Sequence, residues 1–311
     1  MAAWTALGLV LTALFAVFPY TTSHLNHLVP LAQAAWYMWT HFPDFEHGLL
    51  VAPLAAFLVW QKRAVLAALP RRGSGWGLAV LLLGFLAYLL GYLADIQYVG
   101  FFSLNLVLAG AILWLGGVAW MRALAFPWAF LFFMWPMPFL DNLLAFPLRL
   151  AMAQASHLVL AAVGVDNLCL GTAILSAPAP GHPAGERFAV DVADPCSGIR
   201  SLFALLMLAA LYGHYALDRT WKKWALFLAA IPLAVAGNMA RIVVLAFGIL
   251  LWGAPFAVGT LDQPTWFHML AGYVVFAVAL AGMAACAKAL ALKGSNRAGA
   301  PGAAEAPRSA R

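Results

Sequence analysis

Long apolar blocks separated by short polar segments dominate the sequence. A helix needs about 20 predominantly apolar residues to cross the hydrocarbon core of a bilayer. Eight blocks reach or approach that length, the second only with its flanks: residues 2–18, 48–61, 76–94, 101–120, 123–139, 197–217, 224–252 and 266–291. The pattern therefore predicts an all-α polytopic membrane protein with about eight transmembrane helices.

The composition excludes an ordinary soluble domain. Hydrophobic residues make up 65% of the chain and charged residues 9%, whereas soluble domains contain about 45–50% and about 25%. The net charge of +6 does not indicate nucleic-acid binding, because the basic residues form short clusters between the apolar blocks. Cys169, Cys196 and Cys286 show neither a CxxC motif nor zinc-type spacing. We therefore expect a lipid bilayer as the environment, and no nucleic acid, metal or cofactor.

The positions of lysine and arginine predict the orientation, because cytoplasmic loops carry an excess of these residues. If eight helices cross, thirteen of the seventeen basic residues fall on one side. With that side cytoplasmic, both termini lie inside the cell. The first block has no basic residue before it and no convincing cleavage site, so we interpret it as a retained helix. The thirteen residues are Lys62, Arg63, Arg71, Arg72, Arg122, Arg219, Lys222, Lys223, Lys288, Lys293, Arg297, Arg308 and Arg311.

The apolar segment 141–165 is predicted not to span the membrane. As an additional crossing it would move the following loop, 166–195, to the cytoplasm, in conflict with the basic cluster after the sixth block. Its polar residues recur every seven positions, at Asn142, Arg149 and Ser156. Such a stripe favours an amphipathic helix that lies in the outer interface or lines a cavity.

The loop 166–195 is predicted to form a short extracytoplasmic hairpin. Its segments LCLGTAIL and RFAVDVA are rich in strand-forming residues, and the turn-rich segment APAPGHPAG lies between them. Residues 1–292 would then form a single integral membrane domain. The small and polar residues of 293–311 are expected to form a disordered cytoplasmic tail.

Arg241 is the first candidate for chemistry. It lies seventeen residues after Trp224, and about 1.5 Å of rise per residue places it near the outer boundary of the hydrocarbon. A charged side chain at that depth is energetically expensive and indicates a functional site, although an anchor that reaches toward water is the simpler alternative. Asn238 lies three residues earlier on the same helix face and could hold the guanidinium.

Cys196 is the second candidate, in the segment DVADPCSGIRSLFALL. Asp194 suits the N-cap of a helix and Pro195 its first position, so the cysteine is predicted to open a membrane helix. A helix N-terminus favours the thiolate, which is the nucleophilic form. Ser197 adds polarity, and Gly198 would let a substrate backbone approach closely. The alternative is an inert buried cysteine.

His268 is the third candidate and lies in the first turn of the last predicted helix. A single histidine near a membrane surface is more often structural. However, Cys196, Arg241 and His268 come from three different helices and are predicted to reach the same depth on the same side. A Cys–His pair supplies a nucleophile and a general acid/base, and an arginine can stabilise a tetrahedral oxyanion. The three residue types together indicate acyl transfer.

The three motifs resemble those of the exosortase–archaeosortase family. They are PCSGIRS around Cys196, NMAR with Asn238 and Arg241, and the histidine at the start of the final helix. The upstream segments FEHGLLVAPLAAFLVWQKR and PWAFLFFMWPMPFLDNLLAFPLRL are also similar, so the likeness extends over most of residues 40–280.

The resemblance implies sortase-like chemistry on an unrelated fold. Cys196 would attack a peptide bond in a C-terminal sorting signal of a membrane-anchored protein substrate, and another nucleophile would resolve the acyl-enzyme. The acid/base role falls to His268 and the oxyanion or substrate-positioning role to Arg241. In bacteria the signal is typically of the PEP-CTERM kind, with a Pro-Glu-Pro-like motif, a membrane helix and a basic tail. The implied location is the cell inner membrane, with the site facing the periplasm or exterior.

Two departures from the family and two further residues affect this interpretation. Pro195 stands where the family often has a small residue, and the 176–187 insert is longer than usual, so the recognised signal could differ. Arg200, one turn after Cys196, could contact a substrate carbonyl or serve as an anchor. Asp262 is a candidate to orient His268.

The alternative function is a non-enzymatic transporter or exopolysaccharide-export component. Such a protein would use Arg241 and Asn238 as a polar cavity site. Transporters usually show repeat symmetry between halves, with interrupted helices in matching places. The sequence shows no such repeat, and it leaves the oligomeric state, the acceptor nucleophile and the exact sorting signal open.

Overall fold

The structure is a computed structural model, and it describes residues 2–22, 25–42, 45–135, 143, 146–191, 199–259 and 263–295. The chain divides into two compact units, Met1–Pro147 and Leu148–Arg311. Each unit is built mainly from apolar helices.

The first unit contains seven α-helices within its described residues. Two of them continue into a short turn of another helix type, α1 into the π-helical turn Ala13–Val17 and α7 into the 3₁₀ turn Leu131–Met134. The helices are α1 Ala2–Thr12, α2 Leu31–His41, α3 Gly48–Gln61, α4 Arg63–Ala68, α5 Gly75–Leu93, α6 Gln97–Leu115 and α7 Gly117–Phe130.

Helices α5 and α6 form a close antiparallel pair because glycines line their contact. Gly77 faces the backbone of Trp114, and a Cβ on Gly84 would lie only 2.8 Å from the backbone nitrogen of Val107. On the other helix, Gly110 leaves room for the backbone of Leu81. Small residues let helix backbones approach closely, which is how helices associate in a lipid environment without a hydrophobic driving force between them.

Tyr20 fills the end of this pair. Its ring is fully buried and rests against Gly91 and Gly100, where a Cβ would collide with it. The Tyr20 hydroxyl donates to the backbone oxygen of Tyr88 at 2.8 Å, and the Tyr88 hydroxyl donates to the backbone oxygen of Leu14 at 2.7 Å. A buried tyrosine needs such a partner for its hydroxyl, and these bonds connect the α1 region to the α5–α6 pair.

Asp95 organises the turn between α5 and α6. Its backbone is left-handed, with φ of 50°, a conformation in which aspartate and asparagine are enriched. Its carboxylate accepts hydrogen bonds from the Thr21 hydroxyl at 2.8 Å, the Thr22 backbone nitrogen at 3.0 Å and the Thr22 hydroxyl at 2.5 Å. These donors, chiefly the Thr22 and Thr21 hydroxyls, lower the pKa of Asp95 below its ordinary value.

The second unit combines five helices and one small sheet within its described residues. Helices α10 and α12 are antiparallel, because Gly248 packs on Phe267 near one end and Gly282 on Leu233 near the other. Helix α10 has 33 residues, a length of about 50 Å at 1.5 Å per residue. The helices are α8 Phe146–Ala162, α9 Ile199–Ala216, α10 Thr220–Trp252, α11 Ala254–Ala257 and α12 Trp266–Ser295.

The sheet has three antiparallel strands in the order β1-β2-β3: Asn167–Leu170, Ala173–Ser176 and Ala189–Asp191. Ile174 and Val190 of the sheet, together with Phe188 just before β3, pack with residues of α8 and with the last turns of α10 in one apolar core. The predicted pairing of LCLGTAIL with RFAVDVA is present between β2 and β3. A second, tight hairpin inside LCLGTAIL adds β1, which the sequence did not predict. The sheet is positioned by the C-terminal part of α10.

Each of the eight predicted apolar blocks contains a helix. The structure differs from the prediction in three respects. The block 101–120 crosses a break at Gly116, between α6 and α7, where Gly117 begins the new helix with a φ of 80°. Helix α2 was not predicted. Among the described residues, five helices are long and apolar enough to cross a membrane, so the number of eight spans stays a prediction: Gly75–Leu93, Gln97–Leu115, Gly117–Met134, Thr220–Trp252 and Trp266–Leu292.

Helix α8 carries the polar stripe of segment 141–165 and turns it toward the protein. Ser156 is fully buried and Arg149 is half-buried, whereas the apolar side chains of Phe146 and Leu158 are exposed. Asn142 lies outside the described residues. An apolar outer face suits contact with lipid. The interfacial position of α8 stays a prediction.

Candidate functional site

Arg241 of α10 and His268 of α12 are in direct contact. The Arg241 Nη2 atom lies 2.6 Å from the His268 Nε2 atom. A guanidinium carries only donors, so Nε2 must accept, and the imidazole is neutral with its hydrogen on Nδ1. His268 Nδ1 is buried and has no hydrogen-bond partner among the described residues, and the same holds for Arg241 Nε. The N–H groups at His268 Nδ1 and Arg241 Nε are thus available as donors beside the hydrogen bond between Nη2 and Nε2.

The first turn of α12 holds His268 in place. The Thr265 hydroxyl accepts a hydrogen bond from the His268 backbone nitrogen at 3.2 Å, as expected for an N-cap residue. The same hydroxyl donates to the backbone oxygen of Ala257 at 3.2 Å. The start of α12 is therefore tied to the end of α11, and the imidazole projects from a fixed helix end. Its side chain is only 3% exposed. Asp262, the suggested partner of His268, lies outside the described residues.

Asn238 lies one turn before Arg241 and faces the same pocket. It is 3% exposed, and its Nδ2 atom donates to the Met152 sulfur of α8 at 3.3 Å. A thioether is a weak acceptor, but the contact fixes the position of α8 against this part of α10. The polar face of α10 is therefore bounded by α8 as well as by α12.

A narrow pocket lies between α9, α10 and α12 beside Arg241. Its free volume is about 10 Å³, roughly the space that one water-sized sphere needs. Glycines shape it, because Gly237 and Gly272 have no side chain to fill it. A Cβ on Gly272 would lie 3.4 Å from the Arg241 Cζ atom, so the guanidinium rests directly on α12. The lining residues are Ser201, Leu205, Ala234, Gly237, Asn238, Arg241, Gly272, Val275, Phe276 and Ala279.

The structure brings together Arg241, His268 and Asn238 of the residues selected from sequence. Cys196, Ser197 and Gly198 lie outside the described residues, and α9 begins three residues after the cysteine, at Ile199. Arg200 is described and exposed, and it does not line the pocket. Within the described ranges, no group of three or more His, Cys, Asp or Glu side chains could hold a metal ion.

Sequence reasoning missed four residues of this region: Ser201, Gly237, Gly272 and Met152. Ser201 closes the motif PCSGIRS, and Gly237 directly precedes NMAR, so both were within reach of a motif-based search. Gly272 lies four residues after His268 and would be found by asking which residue shares its helix face. The contact of Met152 carries no local signal, because it depends on how α8 packs.

The geometry suits reactions in which negative charge develops on an oxygen. Arg241 offers N–H donors to a carbonyl oxygen, and a fixed cation among buried side chains stabilises such a charge more strongly than it would in bulk solvent. The neutral imidazole of His268 can accept a proton once its Nε2 atom is free. Both groups come from apolar helices long enough to cross a membrane, which places this chemistry in a membrane protein.

Comparison with known families agrees with the motifs. The family profile of the transmembrane exosortases matches residues 36–285, a range that contains every residue named in this site. No curated protein and no solved structure shows significant similarity to the chain. Because the profile covers well over half of the sequence, this multi-pass membrane protein belongs to the transmembrane exosortase family.

Proposed function

We propose that this protein cleaves C-terminal sorting signals of membrane-anchored proteins and transfers the new carboxyl end, with Cys196 as the nucleophile. The site would face the extracytoplasmic side of a bacterial inner membrane. Membership of the transmembrane exosortase family supports this general role. The observation that carries the proposal is the contact between Arg241 and His268 at 2.6 Å, because it joins the residues that we assign as oxyanion donor and general base, from two separate motifs.

The position of Cys196 relative to that pair is part of the proposal. Cys196 comes three residues before α9, and Ser201, five residues further on, lines the same pocket as Arg241. Cys196 directly precedes the first turn of α9, and the proposal places its thiol at the end of the pocket where Arg241 lies. The thiol would then be within reach of the substrate carbonyl that Arg241 binds.

The reaction begins with an exchange of partners. Arg241 leaves His268 Nε2 and donates to the carbonyl oxygen of the scissile bond, and the freed Nε2 takes the proton of the Cys196 thiol. The thiolate attacks the carbonyl carbon, and Arg241 stabilises the tetrahedral anion. His268 then gives its proton to the leaving amine as the C–N bond breaks, which leaves a thioester on Cys196.

The second half reverses the proton transfer. An acceptor nucleophile, water or an amine, gives a proton to His268 as it attacks the thioester, and the carbon–sulfur bond breaks. His268 returns the proton to the sulfur, so the thiol is regenerated. The substrate expected for this reaction carries a Pro-Glu-Pro-like motif, a membrane helix and a basic tail. Its motif stays outside the bilayer while its helix lies within it.

The test is processing of such a substrate, co-expressed with the full chain in a host that lacks this activity. Wild type should shorten the substrate at one site, measured by mass spectrometry of its C-terminal peptides. Cys196→Ala should leave the substrate intact while the variant inserts in the membrane at normal levels. Cys286→Ala, the same substitution elsewhere, should process normally. Full cleavage by Cys196→Ala would refute the nucleophile assignment.

A further inference from the structure

The pocket beside Arg241 extends along the helices in one direction from the Arg241–His268 pair. On α10 it includes Ala234, seven residues before Arg241, and on α12 it reaches Ala279, eleven residues after His268. Because α10 and α12 are antiparallel, both positions lie on the same side of the pair. In the proposed orientation this side points toward the interior of the bilayer.

The lining of the pocket changes from polar to apolar in that direction. Ser201, Asn238 and Arg241 line the end near the pair, whereas the far end is lined by side chains without polar atoms. At the polar end, Arg241 Nε is buried without a hydrogen-bond partner among the described residues. An apolar space with a few polar groups at one end is typical of a site that orients a ligand by its polar part and selects it by its apolar part. The far-end residues are Leu205, Ala234, Val275, Phe276 and Ala279.

The size of the pocket limits its occupant. A free volume of about 10 Å³ accommodates a group near the size of a water molecule, such as a methyl or a hydroxymethyl group. It does not accommodate a branched or aromatic side chain unless the helices move. The walls that create the space are the bare backbone at Gly237 and Gly272, which belong to the two longest helices of the unit.

We propose that this pocket receives one small side chain, of the size of alanine or serine, from the substrate polypeptide just after the scissile bond. Arg241 Nε would donate to a backbone carbonyl of the same segment. The inference rests on the proposed function, since the segment after the cleaved bond is the one that enters the bilayer and so passes the apolar end. The enzyme would therefore select its substrates by a small residue on the leaving side, in addition to the motif outside the membrane.

Gly237→Ala is the substitution that tests the pocket. The new Cβ would lie 3.1 Å from the Val275 Cγ1 atom and 3.7 Å from the Ala279 Cβ atom, so it fits with a small adjustment and occupies the space. Gly282→Ala is the matched control. Its Cβ would lie 3.1 Å from the Leu233 Cδ2 atom, in the same pair of helices, but Gly282 does not line the pocket.

The readout is a set of co-expressed substrates with glycine, alanine, serine, valine or leucine at each of the first positions after the cleaved bond. At one position, wild type should process alanine and serine at least about tenfold faster than leucine, since one methylene in a tight pocket changes a rate by about that factor or more. Gly237→Ala should process the alanine substrate no faster than the leucine substrate, and it should still process the substrate with glycine at the same position. Gly282→Ala should behave as wild type.

Ala279→Gly distinguishes a change in the pocket from simple misfolding. It enlarges the apolar end of the pocket, so this variant should process the valine substrate, which wild type does not. A gain of substrates cannot result from loss of folded protein. The absence of size selection at every position, or an identical profile for Gly237→Ala and Gly282→Ala, or no gain with Ala279→Gly, would overturn the inference. If Cys196 proves necessary while size selection is absent, only the pocket inference fails; if Cys196→Ala cleaves, the proposed function fails first.

Discussion

Arg241 and His268, 27 residues apart in the chain, meet through Nη2 and Nε2 at 2.6 Å. The direction of this hydrogen bond is fixed, because a guanidinium cannot accept. While the contact lasts, the nitrogen that would serve as the base is engaged and the imidazole is neutral. A substrate carbonyl that attracts the guanidinium would release Nε2 at the moment when the thiol must be deprotonated. The same arginine would thus control the base and stabilise the oxyanion.

Arg241→Lys should lower the rate of substrate processing by about 10²–10³-fold, the usual effect of removing an oxyanion donor. Lysine keeps the positive charge, but its compact ammonium cannot reproduce the planar set of donors that reaches both His268 and a carbonyl. The measurement is the initial rate of processing at equal amounts of folded enzyme. Arg219→Lys, an exchange at an exposed residue just before α10, is the control and should be near wild type. Equal rates for the two variants would remove Arg241 from the mechanism.

Thr265→Val should slow processing several-fold and lower the free energy of unfolding by about 1 kcal/mol, the typical effect of losing an N-cap. Valine keeps the shape of threonine but loses both hydrogen bonds, to the His268 backbone nitrogen and to the Ala257 oxygen. Thr265→Ser retains the hydroxyl and should restore both rate and stability. Thermal unfolding in detergent and processing rates together provide the check. A slow serine variant would mean that the methyl group, rather than the cap, is what matters.

The three cysteines should differ in their reaction with a membrane-impermeant thiol reagent added from outside. Cys196 should react first. Cys169 in β1 should react slowly, because burial raises the pKa of its thiol and only the thiolate reacts. Cys286 should stay unlabelled, since it lies eighteen residues beyond His268 on α12, about 27 Å further along the helix.

Single-cysteine variants and mass spectrometry would identify which thiol reacts, and a permeant reagent serves as the control for Cys286. Labelling of Cys196 only after the cytoplasmic face is opened would reverse the proposed topology. Labelling of Cys286 from outside would do the same.

Asp95→Asn should destabilise the protein at neutral pH, and the difference from wild type should shrink in acid. Hydrogen bonds from Thr22 and Thr21 lower the pKa of Asp95 in the folded protein, whereas the unfolded value is about 3.9. The stabilisation is therefore fully present above about pH 4 and is lost as the pH falls through the folded value. Asparagine tolerates the left-handed backbone as well as aspartate does, so the comparison reports the loss of the charge and of one acceptor oxygen without added backbone strain. Unfolding temperatures at several pH values are the measurement, and a pH-independent difference would contradict this account.

Hydropathy predicted the long helices well because each one must keep its backbone hydrogen-bonded and its surface apolar over a membrane's thickness. It could not locate the break at Gly116, since the residues on both sides are equally apolar and the break depends on a positive φ at Gly117. Helix α2 was missed for a related reason. Its 11 residues are too few to cross a bilayer, and its burial around Tyr20 arises from tertiary packing.

The site was predictable in part because depth along a helix follows from residue number. Counting residues placed Arg241 and His268 at similar heights, and the structure brings them into contact. Counting does not tell which way a helix is rotated, so the pocket shaped by Gly237 and Gly272 was not foreseen. The contact between Asn238 and Met152 depends on the placement of α8, which no local pattern in the sequence specifies.

Helix α10 is longer than a bilayer is thick. Its length of about 50 Å exceeds a hydrocarbon core of about 30 Å, and its final turns, from Ile242 onward, pack with α8 and the sheet. No break in the helix separates Arg241 from Trp252, so the reactive pair and the sheet are supported by one continuous rod. The proposed site of peptide-bond cleavage would therefore lie at a fixed position along α10. A thicker or thinner bilayer would shift the lipid surface relative to that position. The helix between Arg241 and Trp252 contains no loop that could adjust to the shift.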